Sequence, residues 1–313
     1  MSYPIYRAGA PSPSTVLLAG CGGGYDVLGA VPLLVDLLGR GCKVVLASHS
    51  FTNLPGLPGA VRDETVPCLF ETPAGAACED RYCPEPWLAR WAKEALGEEL
   101  PSYAMEKSGA QPLLAAYRRL IELYRIDTVV LVDGGIDALL RGDESSLGTP
   151  AEDLASLAAA SQLPDEVAVG MACLGLGAEM RDGICHEQVF ARIAELTREG
   201  GFYGAQSLAP QEERGRRYLE AVDYVFAQQA TQRRSHVHKV VSQAVRGEYG
   251  ADGEHIWVSP LLSQCWFFDA RVVARTHRFL PALVDTETSF EVSARVEGLR
   301  KSMEIQGKSM IPI

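Results

Sequence analysis

Three times along this chain a short apolar run with no polar alternation ends abruptly in glycines and acids. Residues 15–20 (TVLLAG) run into Cys21-Gly22-Gly23-Gly24-Tyr25-Asp26, residues 128–132 (TVVLV) stop on Asp133 and two glycines, and residues 166–173 (EVAVGMAC) turn into LGLGAEMRDG. A strand that is apolar on both sides of its pleat is buried on both faces, and that requires covering helices and favours a parallel sheet. The intervening segments supply them. Apolar residues recur at three- and four-residue spacing over 27–41, 87–96, 111–124, 151–162 and 188–198. The alternation predicts an α/β fold, doubly wound and Rossmann-like, with a mainly parallel sheet and helices on both faces. Further strands are expected at 43–47 and 65–70, and a strand-rich segment at 255–273.

With 313 residues, 47% of them hydrophobic, the chain can bury a large core without disulfides or metals. The absence of repeats and low-complexity linkers favours a single α/β domain over 1–313, with loose ends at 1–14 and 307–313. A formal net charge of -11 argues against nucleic acid as a partner, because phosphate backbones need a basic face. The amino terminus lacks the apolar core of a signal peptide, and no apolar run reaches the roughly 18 residues of a membrane span. The expected setting is therefore cytoplasmic, away from membranes. The expected partner is a small-molecule substrate, and a homo-oligomer is left open. Eight cysteines without CxxC pairs read as reduced apolar fillers. Neither zinc nor haem is expected, and His236 and His238 diverge on a helix.

In open parallel sheets ligands bind outside the carboxyl ends of the strands. The first loop there, with Gly22, Gly23, Gly24 and Asp26, has the strand, glycine turn, helix order that cradles phosphate on backbone N–H groups. It lacks the Lys-Ser/Thr of a Walker loop and the spacing of a dinucleotide fingerprint, and the next strand ends in SHSFTN with no ribose-binding acid. Ordinary NAD binding is disfavoured. The loop at 78–86 (CEDRYCPEP) is long enough for a lid but equally an ordinary connection.

The second loop concentrates charge. Asp133, Asp137, Asp143 and Glu144 fall within twelve residues, and four acids so close repel one another unless a cation, an arginine or a proton compensates. Asp137, Asp143 and Glu144 are the candidate ligands for a hard cation such as magnesium. Gly134, Gly135 and Arg141 are candidate ligand contacts, Arg141 as a fork for phosphate or carboxylate. The third loop adds Glu179, Asp182, His186 and Glu187. His186 is the candidate general acid or base beside Asp133 and Asp137, with Glu187 a ligand contact. The competing structural readings are a tight turn for the glycines, surface salt bridges for the RGDE segment and a solvated helix-start histidine for His186.

The segments GCGGGYDVLGAVPL at 20–33 and VDGGIDALLRGDESSLGTPAEDLASLAA at 132–159 resemble the prokaryotic domain-of-unknown-function family eleven fifty-two. Weaker similarity continues through RGEYG and SPLLSQCWFFDA. The resemblance marks the two motifs as the family's hallmark and implies no particular activity. The third loop, with Cys185-His186-Glu187, is more particular to this chain.

Together these features lead to the expectation of an enzyme acting on a phosphorylated or nucleotide-type metabolite, with magnesium and a nucleotide as its cofactors and group transfer as its reaction. Two alternatives stand beside it. One is a hydrolase or lyase using the acidic loop and His186 on an amino-acid-like substrate. The other is a ligand-binding regulatory protein without catalysis.

Overall fold

The computed structural model describes residues 12–253 and 256–310. The strands are β1 (Thr15–Gly20), β2 (Lys43–Ser50), β3 (Val61–Arg62), β4 (Leu69–Glu71), β5 (Ser102–Glu106), β6 (Thr128–Asp133), β7 (Ala168–Leu174), β8 (Phe202–Ser207), β9 (Gly250–Ala251), β10 (Trp257–Val258) and β11 (Gln264–Asp269). The helices are α1 (Val31–Gly39), α2 (Pro84–Trp91), α3 (Ala110–Tyr124), α4 (Pro150–Ser161), α5 (His186–Arg198), α6 (Glu213–Gln228), α7 (His236–Val245), α8 (Ala270–Thr276) and α9 (Ser289–Lys301). Among the described residues no helix is long and apolar enough to cross a membrane.

Nine strands form one sheet in the order β3-β4-β5-β2-β1-β6-β7-β11-β8. Its centre is parallel: β1 pairs with β2 on one side and β6 on the other, β5 extends the first side and β7 the second. The edges depart from that pattern, since β3, β4 and β11 run antiparallel to their neighbours.

Alternation along the buried strands divides the interior into two cores. Leu17, Ala19, Val129, Leu131 and Met171 face one core, which α3, α4, α5, α8 and α9 cover. Val16, Leu18, Val130, Val132 and Ala172 face the other, beneath α1, α2, α6 and α7. A central strand with apolar residues at every position is stabilised from both sides, each fully buried Val or Leu contributing on the order of 1.5–3 kcal/mol. Leu18→Ala would leave a cavity between β1 and the second helix layer and cost about 2–5 kcal/mol.

The expected strand at 65–70 is displaced to β4, a short antiparallel addition that β3 extends. The helix expected over 87–96 begins earlier, on Pro84, and finishes as a π-helical turn, Ala92–Leu96. The segment 255–273 holds β10, β11 and the start of α8, whose N-cap Asp269 accepts from the N–H groups of Arg271 and Val272; His255 lies outside the described residues. At the carboxyl end α9 starts with a capping box between Thr288 and Glu291. Of the ends expected to be loose, 1–11 and 311–313 lie outside the described residues. Residues 307–310 are tied down, because Gln188 donates to the Gly307 carbonyl at 3.1 Å and Cys185 Sγ to that of Ser309 at 3.0 Å.

The chain leaves β1 in one direction, toward β2 and β5, and later fills the other side with β6 and β7. Connections therefore diverge where β1 meets β6, and a crevice at their carboxyl ends is the consequence.

Candidate functional site

A cleft of about 610 Å³ opens at that divergence, within the range of about 300–1,000 Å³ typical of small-molecule sites. Seven acidic residues line it, Glu152 and Asp182 together with a group of five, Asp26, Asp133, Asp137, Asp153 and Glu179. Each of the five comes from a different piece of backbone. Asp26 lies on a short 3-10 turn after β1, Asp133 is the last residue of β6, Asp137 opens a 3-10 turn after it, Asp153 sits in the first turn of α4, and Glu179 is on a 3-10 turn after β7. Ser156 on α4 donates to the Cys21 carbonyl at 2.7 Å, holding the helix start against the first loop.

The glycines make room for these acids. A Cβ on Gly22 would stand 2.7 Å from Asp153 Oδ1 and 2.9 Å from Asp26 Oδ2, one on Gly134 2.7 Å from Asp26 Oδ1, and one on Gly135 2.7 Å from the Glu179 carboxylate. The first loop does not leave its amides open to a ligand. Gly22 N–H donates to Asp26 Oδ2 at 2.6 Å. Gly24, the third glycine, lies against the Tyr82 hydroxyl and the Phe51 ring.

Oxygens of Asp26, Asp133 and Asp153 lie within 4.8 Å of one another. Burial raises the carboxyls of Asp26, Asp133, Asp137, Asp153 and Glu179, and repulsion from neighbouring acids, Asp182 in the case of Asp137, adds to it. Burial pushes Asp26 up to about 7 against the pull of the Gly22 N–H. Asp133 and Asp153 stand well above the usual carboxylate range, first through burial and then through Asp137 and their other acidic neighbours. Glu179 Oε2 accepts the N–H groups of Ile136 at 2.7 Å and Asp137 at 3.2 Å, and its carboxyl stands well above the ordinary value, first through burial and then through Asp137 and Asp133. Asp153 Oδ1 is buried with no hydrogen-bond partner. Such a floor must take protons or a cation, since buried unpaired negative charge is strongly unfavourable.

Bases also line the cleft. Lys107, Arg181, Arg233 and Arg234 are exposed at its mouth, Lys107 ion-paired to Glu152 and Arg181 to Asp182. Thr231 and Gln232 hydrogen-bond the Glu79 carbonyl, so the segment carrying the two arginines is joined to the loop carrying Tyr82.

The structure thus brings Gly22, Gly23, Asp26, Asp133, Gly134 and Asp137 together on the cleft wall, with Gly135 behind Glu179. Other candidates lie elsewhere. Asp143 accepts both nitrogens of the Arg141 fork, at 3.0 and 2.8 Å, and pairs with Arg278 at 2.9 Å. Burial works to raise its carboxyl, but the arginines hold it below the ordinary value. Glu144 accepts the N–H groups of Arg141 and Gly142, each at 2.7 Å. Neither acid lines the cleft, so Asp137 is in it without Asp143 and Glu144, the two acids expected to ligate a cation beside it, which the chain folds instead into a turn with Arg141. Arg141, expected to grip a ligand, grips Asp143 and Glu195. His186 packs near Gly177 outside the cleft wall, where burial lowers its pKa and keeps it neutral, and Glu187 accepts from Ser309.

The reading from sequence missed Asp153, Lys107, Tyr82 and the two arginines. Asp153 was hidden because an acid in the first turn of a helix is the ordinary partner of the helix dipole. Its signal was the pairing of two acids, Glu152 and Asp153, directly after the GTP that closes the acidic loop.

A protein-family model described as "Protein of unknown function (DUF1152)" matches residues 75–307. The matched span includes Asp133, Asp137, Asp153 and Glu179 and begins after the first glycine loop. No curated protein matches the chain.

Proposed function

We propose, for a chain that belongs to the DUF1152 family of proteins of unknown function, that it is a cation-assisted enzyme acting on a phosphate-bearing metabolite. The observation that carries this reading is the convergence of Asp26, Asp133 and Asp153, whose oxygens lie within 4.8 Å of one another at the bottom of a cleft rimmed by Lys107, Arg233 and Arg234. Hard divalent cations of the magnesium kind take oxygen ligands and commonly share them with substrate phosphate. Asp26, Asp133 and Asp153 would hold such a cation, which would supply positive charge to the substrate, while Lys107, Arg233 and Arg234 would meet the remaining phosphate oxygens. The core order β5-β2-β1-β6-β7 supports a Rossmann-like, doubly wound reading, in which this crevice is the usual ligand site.

Phosphate is held through the cation and the rim, not through Gly22, whose N–H is engaged by Asp26. Group transfer fits this arrangement. A cation held by Asp26, Asp133 and Asp153 would supply Lewis-acid polarisation of the phosphoryl group, and Asp137 or Glu179 on the same cleft wall would take the proton of the attacking group. The eight free cysteines support a reducing, cytoplasmic setting.

A metal-free alternative has its own support in the same carboxyls. Groups held protonated near neutrality, Asp26 foremost, could run proton chemistry in a hydrolase or lyase. A thermal-shift screen of the purified chain with sugar phosphates, nucleotides and amino acids, each with and without magnesium, separates the two. Stabilisation by one phosphate class only with magnesium supports the first reading. Stabilisation by amino acids alone, indifferent to chelator, replaces it with the second.

A further inference from the structure

We propose that the cleft takes a phosphate ester carrying a planar heteroaromatic ring, a nucleotide in its chemical class, with the ring stacked on Phe51. The inference rests on the phosphate reading above and narrows its substrate class. Phe51 directly follows β2 and lines the cleft with half of its surface open to solvent (50% exposed), while belonging to neither of the two cores that flank the sheet. A ligand ring stacked there would remove apolar surface of both partners from water.

The ring is also held in place. A Cβ on Gly24 would stand 3.1 Å from two Phe51 ring carbons, so the glycine loop supports it closely. Tyr82 flanks it at 6.3 Å between centroids, and Tyr25 packs edge-on against Tyr82 at 5.3 Å. Tyr25 is buried in the second core, and the aromatic wall is therefore anchored and needs little ordering on binding. Lys107 Nζ lies 5.6 Å from the Phe51 centroid, showing that the open ring already attracts a cation through its π face. The same lysine reaches Glu152 on the cleft wall. Phe51, the three clustered acids and Arg233 and Arg234 all line one cavity, so one molecule carrying a ring and a phosphate would meet both kinds of wall.

The test compares ligands that differ only in the ring. Titration calorimetry on the full chain with magnesium would measure adenosine, guanosine, cytidine and uridine 5′-monophosphates against ribose 5-phosphate. At least one nucleotide is expected to bind roughly ten- to hundredfold more tightly than ribose 5-phosphate, the range that a single base stack supplies. Phe51→Ala should bring that nucleotide to the ribose 5-phosphate value while leaving ribose 5-phosphate itself unchanged, and Phe51→Tyr should keep the difference. No nucleotide preference in the native chain, or an equal effect of Phe51→Ala on both ligand types, overturns the inference. Magnesium-dependent binding of ribose 5-phosphate without ring preference leaves the cation reading standing and this one refuted. Ring preference that persists in chelator does the reverse, and no binding by any probe refutes both.

Discussion

The backbone N–H of Gly22 donates to Asp26 Oδ2 at 2.6 Å, so the first glycine loop uses its amide to hold one of the protein's own carboxylates in place. A loop of this composition usually offers its amides to a bound anion. Here it delivers an acid to a cluster of acids, and the charge demanded of a ligand reverses from negative to positive. Asp26→Asn and Asp153→Asn should each lower magnesium affinity by at least tenfold, measured by calorimetry or by magnesium-dependent shift in Tm. Without metal both variants should melt at or above the native temperature, because each replaces a buried acid whose ionisation burial opposes by a neutral amide of the same shape. Undiminished magnesium binding in both would refute the floor as a cation site.

The crowded glycines make a stability prediction of their own. Gly135 needs no left-handed backbone, yet a Cβ there would stand 2.7 Å from the Glu179 carboxyl group that accepts the Ile136 N–H. Gly135→Ala should cost about 1–3 kcal/mol and displace Glu179. Gly39, the last residue of α1, has nothing within 4 Å of a Cβ position, and Gly39→Ala should be neutral or stabilising by up to about 1 kcal/mol. Urea unfolding of the two variants side by side checks the contrast; equal losses would mean that the close approach at Gly135 relaxes freely.

Asp143 tests which acids belong to the cleft. It is bound by Arg141 and Arg278, outside the cavity wall. Asp143→Asn should leave magnesium affinity within about twofold while costing about 1–3 kcal/mol, since two arginines lose a charged partner. The sign with pH follows from its depressed pKa: the stabilisation is present above the ordinary aspartate range and is lost as pH falls through the lower folded value. A variant as stable as native but unable to bind magnesium would return Asp143 to the site.

How far the sequence discloses the molecule depends on whether the determinant is local. The β1, β6 and β7 runs and the helices after them are legible because burial on both faces leaves a continuous apolar signature. β5 and β8 escape notice for the opposite reason. SYAME is short and carries polar residues, and FYGAQS is only partly buried at the sheet edge. Asp133 and Asp137 are legible as acids at a strand end, and the convergence of their loop with those carrying Asp26 and Glu179 follows from parallel topology. Asp143 and Glu144 mislead because two residues of chain suffice for an arginine to fold back onto an acid. Asp153 needs the three-dimensional placement of α4 against Cys21, which no local pattern contains.

Glu85 supplies a pH prediction away from the cleft acids. It lies in the first turn of α2, 1% exposed, and its Oε2 accepts from Cys83 Sγ at 3.1 Å while Oε1 has no partner. Burial is the main cause that pushes its carboxyl up to about 7. In the unfolded chain the same group ionises near 4.3. Between those two values the folded protein keeps a proton that the unfolded chain releases, so the contribution of Glu85 to stability is full below about pH 4 and fades as pH rises through about 7. The loss amounts to about 4 kcal/mol at most, each pKa unit being worth about 1.4 kcal/mol. Glu85→Gln keeps the shape and removes the titration. Native and variant unfolding free energies measured from pH 4 to 8 should therefore diverge upward with pH, the variant gaining relative to native. Parallel curves across that range would mean that Glu85 ionises freely in the folded state, through opening of the loop at Cys83.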